Sequence, residues 1–159
     1  MSLSRSPLAL GVLLACACRS ANSPGSPASP GAAPDVQYYA LSGALGQQRL
    51  PFSSAVRIGS LIYLSGQTGT DSTGRLVPGG IETETRQTLE NIRALLGRVG
   101  SSMDRVVKCT AMLADMAEWE RMNRVYITYF TRNLPARSAF GTSGLARGAR
   151  IELECIATR

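Results

Sequence analysis

The chain has 159 residues, 44% of them hydrophobic and 18% charged, enough for one domain with a real core and too little for two. It contains no histidine, which removes the usual general base and the commonest metal ligand, so neither a metal nor a cofactor is expected. The formal charge is +6; Arg5 and Arg19 precede Asp35, leaving 15 cations against 11 acids from there on, spread along the chain as a solvated surface and not as a nucleic-acid footprint.

Residues 1–15 read as a signal peptide. Arg5 supplies the positive start, and Leu8 to Ala15 is apolar but too short to cross a bilayer. The segment ends in Leu13-Leu14-Ala15-Cys16, which resembles a bacterial lipobox with Cys16 as the lipidated residue; ordinary cleavage near Ala17 competes. Residues 16–35 are dominated by Ser, Pro, Gly and Ala and cannot bury a core, so they read as a flexible tether. The expectation is an exported protein on the periplasmic side of a bacterial membrane, touching it only through a lipid anchor. The alternative is a soluble periplasmic protein.

Residues 36–159 carry regular periods. Gln37 to Leu41 reads as a strand. Ser54 to Ile58 and Leu61 to Ser65 alternate around a Gly59-Ser60 turn and read as a hairpin. Gly66 to Gly80 reads as a glycine-rich loop. Glu82 to Val99 reads as a helix with Thr85, Leu89, Ile92, Leu95, Leu96 and Val99 on one stripe, acids at its start and Gly100 as its stop. Asp104 to Leu113 is a strand with Val107, Cys109, Ala111 and Leu113 expected on one face. Met116 to Thr131 is a second helix, apolar along Trp119, Met122, Val125, Tyr126, Tyr129 and Phe130. Strands over Arg137 to Thr142 and Arg150 to Thr158 close the domain. This order predicts an α+β fold: a mainly antiparallel sheet with two helices on one face and the other face free for a second subunit.

Cys109 and Cys155 fall in apolar strands. They read first as small buried hydrophobes, with a disulfide between them as the alternative in an oxidising compartment.

Two segments are chemically unusual. In Pro135-Ala136-Arg137-Ser138 an arginine enters a strand directly after a proline. In Ile151-Glu152-Leu153-Glu154-Cys155 strand alternation puts Ile151, Leu153 and Cys155 on one face and both acids on the other, uncovered face. A solvated role for the acids is the plain alternative.

Taken with Pro51-Phe52-Ser53, Leu64-Ser65-Gly66-Gln67, Arg86-Gln87 with Asn91, and Asn123 with Tyr126 and Phe130, these segments resemble the RidA (YjgF) family in order and spacing over Leu50 to Thr158. The resemblance implies a homotrimer of chorismate-mutase-like domains (bacillus type), with clefts between subunits. It implies hydrolysis of reactive enamines and imines, of the 2-aminoacrylate and 2-iminobutanoate kind, to 2-keto acids and ammonia. Arg137 would hold the substrate carboxylate, and Glu152 would position water and handle protons. Ser65, Gly66, Phe52, Ala139 and Asn123 would line the substrate site. Phe52 and Ala139 stand where the family's best-studied deaminases carry tyrosine and cysteine, so altered substrate binding is implied. The alternative function is an exported, non-catalytic protein that binds small molecules in the same clefts.

Overall fold

A computed structural model of the chain describes residues 33, 35–40 and 51–159, which belong to one compact unit, Ala33–Arg159. The signal segment, Cys16 and most of the tether lie outside the described residues.

The unit is built from β1 (Val36–Tyr39), β2 (Ala55–Ile58), β3 (Leu61–Leu64), β4 (Gln67–Thr68), α1 (Ile81–Arg98), β5 (Val106–Leu113), α2 (Trp119–Tyr126), β6 (Ala136–Gly141) and β7 (Ile151–Thr158). The strands form one seven-stranded sheet in the order β1-β2-β3-β7-β5-β6, with β4 also paired to β7. Every pairing is antiparallel except β5 with β6, which α2 joins as a crossover. The fold is the expected α+β, chorismate-mutase-like one, and that parallel pair makes the sheet mixed.

Burial follows the periods. The whole α1 stripe is buried, with Leu89, Ile92 and Leu96 fully so, and meets Leu153, Cys155 and Ala157 of β7 in one core. Each such side chain contributes about 1.5–3 kcal/mol. Gly100 takes a left-handed φ of 81° just past the helix, where an L side chain would be strained. On β7 the odd positions are buried and the even ones are not, so the helices cover one face only.

Three expectations change in detail. The second helix is shorter than its apolar pattern: α2 has eight residues, flanked by 3-10 turns at Met116–Glu118 and Ile127–Tyr129. Val107 does not join the core. The β5–β7 register shifts between Val106 and Lys108, which leaves Val106 buried and Val107 45% exposed. And Cys109 and Cys155, direct cross-strand partners in the core, are joined as a disulfide across β5 and β7.

Candidate functional site

The glycine-rich segment after β3 is not all loop. Gln67 and Thr68 form β4, pairing with Leu153 and Glu152 of β7. Asn91 of α1 holds this short strand in place: its amide donates to the carbonyls of Thr68 (3.0 Å) and Thr70 (2.9 Å), and Gln87 donates to its oxygen at 2.9 Å. The start of β7 is tied to the same helix, where the backbone N–H of Arg150 donates to the buried Glu84 carboxylate at 2.9 Å. Two residues flagged by family resemblance, Gln87 and Asn91, thus fix the strand beside Glu152.

That placement brings Gly66 under the Glu152 carboxyl group. A Cβ at Gly66 would fall 1.9 Å from Glu152 Oε1, so any other residue there would push the carboxyl group out of this position. Ser65 does not face outward as a free hydroxyl; its Oγ donates to the Ser53 carbonyl at 2.7 Å and draws in the segment that carries Phe52. Phe52 is itself 54% exposed. The Glu152 side chain makes no hydrogen bond or ion pair among the described residues. Partial burial, with the Glu154 carboxylate on the same face as a lesser cause, pushes its pKa above the ordinary 4.5. A half-buried, unpaired carboxyl group that holds its proton more tightly than usual suits proton exchange with a bound water.

Arg137 lies elsewhere. On β6 it is level with Cys109, whose partner on the other side is Cys155, so its side chain belongs to the helix-covered face. There its Nη2 donates to Asn123 Oδ1 at 2.7 Å, its Nη1 lies 3.9 Å from the Met122 sulfur, and its Cζ stands 4.5 Å from the Tyr126 ring centre and 5.0 Å from that of Trp119. Ala139, two residues along, shares this face and packs against the core. Burial pushes the Tyr126 hydroxyl pKa up to about 12, against a small opposing pull from Arg137.

One chain therefore carries two separate clusters, candidate half-sites on opposite faces. Ser65, Gly66 and Glu152 form one, with Phe52 on the segment that Ser65 holds. Arg137, Asn123 and Ala139 form the other. Trp119 was legible in the sequence only as part of the apolar stripe of α2, and Tyr126 as part of that stripe and of the family resemblance; their spacing with Asn123 along one helical face was the signal that they meet one partner, and that partner is the guanidinium. Among the described residues no cluster of acids and cysteines could hold a metal ion, and no helix is long and apolar enough to cross a membrane.

Residues 46–159 match the family described as Endoribonuclease L-PSP. The 2-iminobutanoate/2-iminopropanoate deaminase of Mus musculus is 46% identical over 110 residues, which cover 69% of this chain and 82% of that protein. Among solved structures, the yeast YEO7 protein superposes with a TM-score of 0.72 at 33% identity, covering 79% of this chain and 99% of that one. RidA from the Antarctic bacterium Psychrobacter sp. gives 0.67 at 32% identity, covering 71% and 92%. The chain belongs to the Endoribonuclease L-PSP family, the RidA (YjgF) family of its sequence motifs.

Proposed function

We propose that this protein is a deaminase that hydrolyses small carboxylated imines, and the enamines in equilibrium with them, to 2-keto acids and ammonia. The observation that carries the reading is the pairing of two unneutralised groups of opposite character: Arg137, without a carboxylate partner among the described residues, and Glu152, without a cationic one. The guanidinium fork can take the substrate carboxylate through two parallel hydrogen bonds. The amide of Gly66 would support the same end. Glu152, acting through a bound water, takes a proton as that water adds to the C=N carbon and returns one to the departing ammonia. The net reaction consumes one water and yields a ketone and ammonia. The deaminase names of relatives such as the mouse protein support this assignment.

We further propose a homotrimer, in which Arg137 of one subunit meets Gly66 and Glu152 of its neighbour. The two half-sites on opposite faces support it. So do Phe140 (48% exposed) and Tyr63 (40%), apolar residues level with Glu152 and Ile156 on the helix-free face. Export with lipidation at Cys16 is the third part of the reading; the Cys109–Cys155 disulfide supports an oxidising compartment. Mature protein beginning at Cys18 or Arg19, without an acyl group by mass spectrometry, would rule the anchor out.

The test of the activity uses two variants and 2-iminobutanoate generated in place. Arg137→Ala is expected to lose turnover and keto-acid binding together, because it removes the anchor from every bound state. Glu152→Gln is expected to lose turnover while keeping most of the binding, because the neutral amide slows only the proton steps. Wild-type turnover in both variants would overturn the assignment. Carboxylate binding through Arg137 with no imine turned over would instead leave a binding protein.

A further inference from the structure

Some arginines of the fold are paired with acids. Arg57 is held by Asp35, Arg93 by Glu90, Arg121 and Arg124 by Glu82, and Arg150 by Glu118. Arg137 is not one of these, and its own surroundings are specific. Although half-buried, it has only uncharged neighbours among its contacts: the Asn123 amide oxygen at 2.7 Å, the Met122 sulfur and the rings of Tyr126 and Trp119. Asn123 sits one turn from each ring on α2, where an aspartate of nearly the same shape would reach the same Nη2.

We propose that Asn123 is a positioning residue whose neutrality is functional. With Trp119 and Tyr126 it orients the Arg137 guanidinium without neutralising it, which reserves the charge for a ligand carboxylate. The inference rests on the reading of Arg137 as the carboxylate anchor, and it changes the part expected of Asn123, which acts through the arginine. Arginine carries five N–H donors. The amide takes one, the sulfur weakly engages a second, and the rest of the fork stays available. The aromatic rings stabilise the cation by their negative faces and limit the side chain's rotamers, so little freedom is left to lose when a ligand binds. An aspartate at this position would form a charge-assisted pair with the arginine and compete directly with the ligand.

The order of two variants tests this. The probe is 2-oxobutanoate, titrated by calorimetry into the full-length protein, with thermal midpoints and imine turnover measured alongside. Asn123→Ala loosens the arginine and is expected to weaken binding roughly 3- to 10-fold, seen in KM more than in kcat. Asn123→Asp keeps the hydrogen bond and the shape, so the fold is retained, yet it is expected to weaken binding roughly 30-fold or more. A purely structural role gives the reverse order, because aspartate preserves the contact that alanine deletes. Binding by Asn123→Asp equal to or tighter than that of Asn123→Ala overturns the proposal. So does an Asn123→Ala variant that binds as well as wild type, a comparison that stands even if the aspartate variant fails to fold. Wild-type protein that neither binds 2-oxobutanoate nor turns over an imine would refute the anchor reading itself, a result distinct from either.

Discussion

Arg137 and Glu152 point to opposite faces of the same sheet. Their strands are linked through β5, where Cys109 is level with Arg137 and Met112 is level with Glu152. Positions 109 and 112 are an odd number of residues apart, so alternation sends the two side chains to different sides. A single chain cannot close both groups on one small substrate.

The consequence is complementation between damaged subunits. Arg137→Ala and Glu152→Gln are each expected to be inactive as pure assemblies. Co-expressed or refolded together in equal amounts, they should recover activity, because about a quarter of randomly assembled sites join an intact arginine to an intact glutamate. Keto-acid release from the mixture, compared with the two pure variants, is the measurement. No recovery in assemblies shown to be mixed would place the reacting groups within one subunit and overturn the inter-subunit site.

Glu152 should also leave a mark on stability. Its pKa is raised in the folded protein, so folding favours the protonated form. The burden of its charge is absent below the ordinary value of 4.5 and grows as the pH rises through the folded value. Glu152→Gln is therefore expected to raise the thermal midpoint at pH 8, and that gain should vanish near pH 3.5, a value picked roughly one unit below the unfolded pKa. Midpoints of both proteins across that range provide the check. A variant less stable than wild type at pH 8 would mean that the carboxylate is held by a cation in the unliganded assembly, the neighbour's Arg137 first among them, and is not left unpaired for proton exchange.

Much of this was legible in the sequence, for physical reasons that differ by element. The α1 stripe and the alternation of β7 are long, and each has its own period, so core and open face could be assigned from Leu89, Ile92, Leu153 and Cys155 directly. The break in β5 was not visible, because Val106 and Val107 are equivalent in hydropathy and only the register with β7 decides which is buried. The two-residue strand β4 is too short to have a period, and its existence depends on Asn91 reaching across from α1. The motif residues were recognisable, but their division into two half-sites was not. It follows from sheet register, which no local pattern carries.

The Cys109–Cys155 bond closes a sequence separation of 46 residues between the two strands that back both half-sites. Restricting the unfolded chain over a loop of that length contributes about 4 kcal/mol in the chain-entropy account. Urea unfolding with and without a phosphine reductant should show a lower midpoint for the reduced protein, and a Cys109→Ala/Cys155→Ala variant should behave like the reduced form. Equal midpoints, with reduction verified by mass, would show that the bond adds nothing to stability.

Phe52 offers the last test, since it lacks a polar atom where one would be useful. It precedes Ser53, whose carbonyl accepts from Ser65 next to Gly66, so its backbone belongs to the segment held beside the Glu152 cluster. It is 54% exposed in the single chain, so an added hydroxyl buries no unsatisfied group there and should leave the thermal midpoint unchanged. In the proposed trimer that hydroxyl would donate to a ligand carboxylate held by the neighbour's Arg137. A hydrogen bond to a charged group is worth about 1.5–3 kcal/mol, so Phe52→Tyr is expected to lower KM for a small imino acid by about tenfold or more. The gain should disappear in the Phe52→Tyr/Arg137→Ala double variant, because the hydroxyl and the guanidinium would share one ligand group and their effects would not add. A tyrosine variant with unchanged KM and unchanged 2-oxobutanoate affinity would put position 52 outside the site, and the phenylalanine would then say nothing about substrate choice.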